Sequence, residues 1–313
     1  MSETWDNMIM NEPPSAKWLV KPSIHLLTPN KIIGGTILIV KKLQAENNNS
    51  VYSAFDPSVE LPGPPRASNC AIKARAKLDK NGLPLSGQNH LRREVDIHYK
   101  VNEHPKIATL FKVIEYSTCS LMVLEYFPDG DLQTVLAGKF GNEEFVKDAF
   151  SQVLEAVEFC HSQGVYRWFL LLTYPGLENT NSSYLDRDLK VANFLVNGSR
   201  IALADFGHAT MKATSKKGGG TMYAMSPGII LAFLISGLAP WKRPCKEDKL
   251  YEGYRERGRF GQESKCSDEV KGILAKVLHE DPKKRPNIFQ LKIRFDSCDT
   301  FVSETPATPD FFS

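Results

Sequence analysis

The sequence predicts an α+β protein with two lobes: a small antiparallel β-sheet lobe containing one helix, and a larger helical lobe. Short apolar and β-branched runs fill the first part of the chain, whereas apolar stripes at helical spacing follow Pro128. A chain of 313 residues can bury a sizeable core in each lobe. We expect a cleft between the lobes. The expected divisions are an N-terminal tail at 1–35, a domain at 36–296 with lobes at 36–126 and 127–296, and a C-terminal tail at 297–313.

Five segments of the first lobe have the composition of β-strands. They alternate apolar and polar residues or are rich in Val, Ile and Thr, and they span 36–43, 50–55, 70–76, 109–114 and 121–126. One helix interrupts them, because Leu91, Val95 and His98 share a helical face, with Glu94 beside them.

The second lobe contains two amphipathic stripes and one fully apolar segment. One stripe consists of Phe145, Ala149, Val153, Val157 and Cys160, and the other of Val270, Ile273, Leu274 and Val277. The apolar run at 228–241 is too short to span a bilayer, so we expect a buried core helix there.

A short β-hairpin is predicted between these helical segments. Two apolar runs, 194–196 and 201–204, flank Asn197-Gly198, which is the strongest short signal for a tight turn. Such a hairpin would bring Asn193 and Asp205 side by side at its open end.

Composition excludes several classes of protein. The net charge of +3 gives no reason to expect binding to nucleic acid or to a membrane. Six cysteines without a C-x-x-C pair indicate reduced thiols inside the cell, and we expect no secretory signal because no basic stretch leads into an apolar run near residue 1. We therefore expect a cytoplasmic or nuclear protein, which we also expect to be a monomer.

The hairpin is bordered by side chains suited to phosphoryl transfer. Asp188-Leu189-Lys190-Val191-Ala192-Asn193 precedes it and Asp205-Phe206-Gly207 follows it. Carboxylate and carboxamide oxygens on neighbouring loops can hold Mg²⁺ and orient an attacking hydroxyl, which is what transfer of a γ-phosphate requires. Either motif alone is weak, but the two in this order and at this spacing are a strong signal.

These motifs, together with Ala71-Ile72-Lys73, Glu94 and Leu124-Glu125-Tyr126-Phe127, resemble the eukaryotic protein kinase domain of the serine/threonine type over about 36–296. The resemblance implies ATP and Mg²⁺ as cofactors and proteins as substrates. It implies that Lys73 contacts the α- and β-phosphates and that Glu94 pairs with Lys73. By itself, a strand lysine and a helix glutamate would be an ordinary surface pair.

The resemblance also implies roles for the remaining site residues. Asp188 would orient the substrate hydroxyl and Lys190 would steady the γ-phosphate, while Asn193 and Asp205 would bind Mg²⁺. Backbone groups of Glu125 and Phe127 would contact the adenine. The ring would lie between three apolar side chains, those of Val51, Ala71 and Leu195.

Two further segments are similar to the same family. The segment 220–227 resembles the end of an activation segment, and Thr221 stands where a substrate-site threonine is expected. Thr210, Thr214 and Ser215 are either phosphorylation sites opposite Arg187 or part of an ordinary flexible loop. Asp281-Pro282 and Arg285-Pro286 resemble the close of the domain.

The chain departs from the family pattern at four places. Gln44, Glu46 and Asn49 occupy the positions of three glycines whose backbone N–H groups approach phosphates. Nineteen residues, 167–185, are inserted after Tyr166, and Asp186 replaces a histidine. After Pro227 a glutamate and the start of a central helix are missing, which should deprive Arg285 of its carboxylate partner. A retained intron and a missing exon would explain the insertion and the gap.

Three functions remain open at this point. The first is a protein serine/threonine kinase, and the second is a pseudokinase that keeps the fold as an ATP-binding or scaffold module. The degenerate loop and missing helix start favour the pseudokinase, whereas the complete set Lys73, Glu94, Asp188, Asn193 and Asp205 favours the enzyme. A small-molecule kinase of related fold is the third, and Asp205-Phe206-Gly207 with Lys190 argues against it.

Overall fold

The computed structural model describes residues 9–11, 27–46, 48–60, 67–79, 81–85, 88–166, 190–207, 209, 211, 227–241, 247–257, 265–279 and 284–303, with the backbone alone at 9–11, 46 and 88–89. The chain forms two compact units, one from 1–103 and 108–128 and the other from 104–107 and 129–313. The first unit contains a sheet and a helix, and the second is mostly helical. The predicted two-lobed α+β class is therefore confirmed.

The first unit is built on a seven-stranded sheet in the order β1-β6-β7-β5-β4-β3-β2. Its strands are β1 (Ile9–Asn11), β2 (Ile32–Ile33), β3 (Ile37–Glu46), β4 (Asn49–Phe55), β5 (Cys70–Ala76), β6 (Leu110–Glu115) and β7 (Cys119–Glu125). Every pairing is antiparallel except that of β1 with β6, which is parallel. The five predicted strands are present, with ends that differ by up to three residues from those expected.

The two faces of this sheet carry different apolar clusters. One face holds a core that includes Tyr52, Ile72 and Val123. The other face packs Leu110, Val113 and Met122 against Leu91 and Val95. The last two residues belong to helix α1 (Gln88–Val101), which is the helix predicted between the strands. Because side chains alternate along a strand, β6 and β7 contribute to both clusters.

Residues on the N-terminal side of the expected boundary at 36 contribute to the same unit. Leu27 and Ile33 are buried in the first cluster, and β2 pairs Ile32 with Leu38 and Ile33 with Ile37. The domain boundaries remain predictions, but the first unit uses residues that we assigned to a tail.

The second unit contains the predicted hairpin and helices. Its helices are α2 (Leu132–Val135), α3 (Glu143–Ser162), α4 (Pro227–Ser236), α5 (Lys249–Arg257), α6 (Asp268–Val277) and α7 (Ile288–Asp296), and its strands are β8 (Phe194–Asn197) and β9 (Arg200–Leu203). Side-chain caps begin several helices, since Asn142 accepts from Phe145 N–H and Ser267 from Val270 N–H.

The apolar stripes form the core of this unit. All predicted members of the α3 and α6 stripes are buried, except that Phe145 is only half-buried. In α4 every residue but Phe233 is buried, which confirms the predicted core helix up to Ser236. Within the described ranges, none of the helices has the length and apolarity needed to cross a membrane.

The described residues after 296 also belong to this unit. Phe301 is fully buried beside Phe295, and Ser267 donates its hydroxyl hydrogen to the Thr300 carbonyl at 2.6 Å. Part of the segment that we expected to be a tail thus packs against α6 and α7.

Candidate functional site

Lys73 lies in the middle strand of the first unit's sheet. It is paired with Val51 on β4 and with Met122 on β7, and Ala71 lies two residues earlier on β5. Alternation along the strands therefore puts Val51, Ala71 and Lys73 on one face, opposite the core that contains Ile72. The structure brings these three predicted residues together.

Glu94 of α1 meets Lys73 on this face of the sheet. The Lys73 Nζ atom lies 2.7 Å from Glu94 Oε1, and the Glu94 side chain is only 2% exposed. The guanidinium of Arg75 is a second, more distant cation, with Nη1 3.8 Å from Glu94 Oε2. Removing one partner of a buried ion pair is strongly destabilising, so the contact fixes the position of the Lys73 ammonium group.

Helix α1 is held in place by hydrogen bonds as well as by its apolar face. His98 Nε2 lies 2.6 Å from the Ala108 carbonyl oxygen. The Asn102 side chain donates to the Leu110 carbonyl at 3.0 Å and accepts from the Leu110 N–H at 2.7 Å. These contacts tie the C-terminal end of α1 to the beginning of β6, and sequence reasoning did not identify Asn102.

The segment expected to contact adenine begins at the end of β7. The Glu125 N–H donates to the Thr109 carbonyl at 2.8 Å, and the Glu125 carboxylate accepts from Thr109 N–H at 3.2 Å and Thr109 Oγ1 at 3.3 Å. Phe127 is 5% exposed. Contacts of Glu125 and Phe127 with adenine stay a prediction.

In the second unit the hairpin sets Asn193 beside Ala204, the residue before Asp205, and a meeting of the Asn193 and Asp205 side chains stays a prediction. The N–H of Ala204 donates to the Asn193 carbonyl at 2.8 Å, directly beyond the Phe194–Leu203 pair. Asn193 ends a single turn of 3₁₀ helix, Val191–Asn193, in which its N–H donates to the Lys190 carbonyl at 2.9 Å. Lys190 itself is exposed.

The backbone changes direction sharply at Asp205. Its φ of 61° lies in the left-handed region, which Asp and Asn tolerate better than other residues with a Cβ. The Asp205 Oδ1 atom accepts from the Gly207 N–H at 3.2 Å, and Phe206 is fully buried. The carboxylate that we expect to bind a metal is therefore anchored by a local turn and a buried ring.

The hairpin turn differs by one residue from the prediction. Asn197 pairs with Arg200, so the two loop residues are Gly198 and Ser199 rather than Asn197 and Gly198. Gly198 has φ 62°, which glycine adopts without strain. Two-residue hairpin loops need a positive φ at their first residue, so glycine is suited to that position. Leu195, expected beside the adenine, is half-buried on β8 and pairs with Ala202.

Two polar residues that we did not predict hold the hairpin in position. Gln152 of α3 donates to the Ser199 carbonyl at 2.8 Å and accepts from the Ile201 N–H at 2.8 Å. The Asp129 carboxylate accepts from the Gly198 N–H at 2.7 Å. A glutamine beside the apolar stripe of α3 was the available signal, since a buried amide has to be hydrogen-bonded.

Several predicted residues lie outside the described ranges. Among these are Asp186, Arg187, Asp188, Thr210, Thr214, Ser215 and Thr221, together with the insertion at 167–185. Arg285 is described, and its Nε atom donates to the His279 carbonyl at 2.7 Å. Helix α4 begins at Pro227, the residue after which the family pattern is interrupted.

Comparisons with known proteins agree with this geometry. The family described as "Protein kinase domain" matches residues 66–170. The chain is 28% identical to "Negative regulator of sexual conjugation and meiosis" of Schizosaccharomyces pombe, over 76% of this chain and 56% of that protein. It is 24% identical to "Serine/threonine-protein kinase VHS1" of Saccharomyces cerevisiae, over 88% of this chain and 62% of that protein.

A plant relative gives a similar result. "CBL-interacting protein kinase 26" of Oryza sativa subsp. japonica is 28% identical, over 70% of this chain and 44% of that protein. The chain thus spans about half the length of the curated relatives it matches. The paired Lys73 and Glu94 lie within the segment that matches the protein kinase domain family, and the chain as a whole is similar to proteins that include serine/threonine protein kinases.

Proposed function

We propose that this chain is a serine/threonine protein kinase that transfers the γ-phosphoryl group of ATP to hydroxyl groups of protein substrates. The observation that carries the proposal is the 2.7 Å contact between Lys73 and the buried carboxylate of Glu94. Burying a carboxylate is costly, and the pairing places an ammonium group at a fixed point on a β-strand. A positioned cation of this kind is what phosphate oxygens require.

The second unit supplies oxygen ligands of the type that Mg²⁺ prefers. The side chains of Asn193 and Asp205 offer an amide oxygen and a carboxylate at the open end of the hairpin, where Asn193 is bonded to Ala204, the residue before Asp205. We assign these two residues to metal binding. When bound, Mg²⁺–ATP would supply the transferable phosphoryl group and the positive charge that offsets the phosphates.

The remaining roles are assigned by position. Asp188 orients the attacking hydroxyl and accepts its proton, and Lys190 steadies the γ-phosphate with its exposed ammonium group. Val51 and Ala71 share the sheet face of Lys73, which supports a place for them against the adenine. Leu195 and the backbone of Glu125 and Phe127 complete the proposed nucleotide contacts.

A pseudokinase remains the second candidate because of the β3–β4 hairpin. Its two strands stay paired up to the turn, where Gln44 pairs with Val51 and Glu46 with Asn49. All three expected glycine positions carry a side chain here, and a Cβ keeps backbone N–H groups from close approach to phosphates. Weaker nucleotide binding follows, and an ATP-binding or scaffold role without transfer is compatible with it.

We further propose that the chain acts as a monomer in the cytoplasm or nucleus, with no nucleic acid or membrane partner. The net charge of +3 supports the absence of nucleic acid and membrane partners. The kinase domain is proposed to extend over 36–296, flanked by 1–35 and 297–313.

One experiment separates the enzyme from the pseudokinase. Purified protein is incubated with Mg²⁺, labelled ATP and generic protein substrates, alongside Asp188→Asn and a control, Asp268→Asn, whose side chain is 97% exposed. Transfer that Asp188→Asn abolishes and Asp268→Asn leaves unchanged supports the kinase. Thermal stabilisation by Mg²⁺–ATP without transfer would establish the pseudokinase instead.

A further inference from the structure

The outer edge of β6 is occupied by a distant part of the same chain. Ile9, Met10 and Asn11 pair in parallel register with Val113, Ile114 and Glu115, respectively. Without this pairing β6 would be the last strand of the sheet, with a row of unsatisfied N–H and C=O groups along one side. Such an edge accepts an extended peptide, because backbone hydrogen bonds provide the affinity.

The chain is long enough for this pairing to form within one molecule. β1 and β2 stand at opposite ends of the seven-stranded sheet, so six strand spacings separate them. At about 4.8 Å each, the distance is about 29 Å. The 21 residues from Asn11 to Ile32 could extend to about 69 Å at 3.3 Å per residue, so the connection does not need a second copy of the chain.

The paired strand supports the helix that carries Glu94. Leu110 and Val113 of β6 pack against Leu91 and Val95 of α1. The two hydrogen bonds between Asn102 and Leu110, at 2.7 and 3.0 Å, join the end of α1 to the beginning of the same strand. An increase in the motion of β6 would therefore reach α1 through both packing and hydrogen bonds.

We propose that the outer backbone edge of β6 is a docking site for an extended peptide, that Ile9–Asn11 of the same chain fills it, and that its occupancy steadies β6 and α1. The recognition is through the backbone, since three consecutive residues pair in one parallel register. Because α1 carries Glu94, steadying α1 also steadies the pair of Glu94 with Lys73. This consequence deepens the proposed kinase function and rests on it, whereas the docking itself does not.

The first test removes the strand. Hydrogen exchange, read by mass spectrometry, is compared between the full chain and a chain lacking residues 1–11. Amides of 110–115 that pair with β1 should exchange at least about tenfold faster after the deletion, while 49–55 and 70–76 serve as internal controls and stay unchanged. Equal exchange at 110–115 in the two proteins would overturn the proposal.

A second test keeps the full chain and separates backbone from side chain. Adjacent residues of a strand direct their N–H groups to opposite sides, so only one of Met10 and Asn11 can donate to β6. Met10→Pro and Asn11→Pro should therefore differ, one of them reproducing the exchange of the deletion and the other having a weaker effect. Met10→Ala and Asn11→Ala are the matched controls and should leave exchange at 110–115 unchanged. If both proline variants exchanged at 110–115 as slowly as the unmodified full chain, backbone docking would be contradicted.

A third test restores the strand from outside and identifies its source. A synthetic peptide of residues 5–15 should return protection to 110–115 in the shortened chain, and a scrambled peptide should not. Light scattering of the full chain should give a monomer. If the full chain is instead a dimer that becomes monomeric after the deletion, the strand is exchanged between two copies. That result would overturn the proposal that the edge is filled by the same chain.

These readouts remain informative if the chain transfers no phosphate. Exchange at 110–115 depends only on the docking, whereas failure of the kinase proposal would appear as absent transfer in the full chain. If the chain is active, the deletion should raise the KM for ATP and the peptide of residues 5–15 should lower it again.

Discussion

Glu94 and Lys73 lie 21 residues apart in the chain, yet their side chains meet at 2.7 Å on one face of the first unit's sheet. Helix α1 buries the Glu94 carboxylate to 2% exposure, while Lys73 keeps 24% of its side chain exposed. The contact with the buried carboxylate thus fixes the ammonium group, while part of the Lys73 side chain stays exposed. This is a suitable arrangement for a cation that has to bind an anionic ligand.

The first prediction concerns this pair. Glu94→Gln keeps the shape of the side chain but removes the charge that positions Lys73. Since a hydrogen bond to a charged group contributes about 1.5–3 kcal/mol, ATP affinity should fall by about 10- to 100-fold. Calorimetric titration with Mg²⁺–ATP measures the change. Glu103→Gln, an exposed carboxylate just after the same helix, is the control and should bind ATP normally. Unchanged affinity in Glu94→Gln would refute the role of the pair.

The second prediction separates the chemistry of Asp205 from its backbone conformation. Asn tolerates the φ of 61° at this position, whereas a β-branched residue does not. Asp205→Asn should therefore unfold in urea like the unmodified protein, and Asp205→Val should lose about 1–2 kcal/mol of unfolding free energy. Both should lose stabilisation by Mg²⁺–ATP. Stabilisation retained in Asp205→Asn would exclude the carboxylate as a metal ligand.

The third prediction concerns pH and the half-buried His161 near the end of α3. Burial lowers the pKa of His161 to about 4, from an ordinary value of 6.5. The folded state therefore keeps this imidazole neutral, while the unfolded state takes up a proton below pH 6.5. The free energy of unfolding should fall as pH decreases from 6.5 to 4, by at most about 3 kcal/mol from this group.

His161→Gln provides the comparison, because glutamine does not titrate. Urea unfolding of both proteins between pH 4 and pH 8 should show a smaller loss of stability in the variant below pH 6.5. Above pH 7 the difference between the two proteins should no longer change with pH. Parallel curves over the whole range would mean that His161 titrates alike in the folded and unfolded states.

The fourth prediction concerns the packing of α4 against α6. A Cβ at Gly228 would lie 2.8 Å from Val277 Cγ1, closer than real Cβ atoms approach a neighbour, and 3.2 Å from Val277 Cβ, which is a tight contact. Gly228→Ala should therefore cost about 1–3 kcal/mol of unfolding free energy, because a core without space has to shift.

Gly272, in α6, is the matched control. Nothing lies within 4 Å of a Cβ built there, so Gly272→Ala should stabilise the protein by about 0.5–1 kcal/mol through helix propensity. The double variant with Gly228→Ala and Val277→Ala should lose less unfolding free energy than the two single variants lose in total. Thermal unfolding measures all four proteins, and equal effects at the two glycines would contradict the close contact.

Local patterns predicted the elements of this fold well where neighbouring residues decide them. Strand β5 has the bounds expected from its alternation, and Leu91, Val95 and His98 face inward on α1 as their spacing indicated. The hairpin turn was placed one residue too early, because Asn and Gly can both adopt a positive φ. Only the pairing of Asn197 with Arg200 decided which of them entered the loop.

The sequence by itself determined the strands, the amphipathic helices and the motifs around the hairpin, because these depend on spacing within a few residues. The tertiary structure alone decided that Ile9–Asn11 pairs with β6, that Phe301 is buried beside Phe295, and that Gln152 holds the hairpin. Short segments such as β1 and β2 have no periodicity long enough to recognise. Their conformation comes from hydrogen bonds to strands distant in sequence, and these bonds exist only once the sheet has formed.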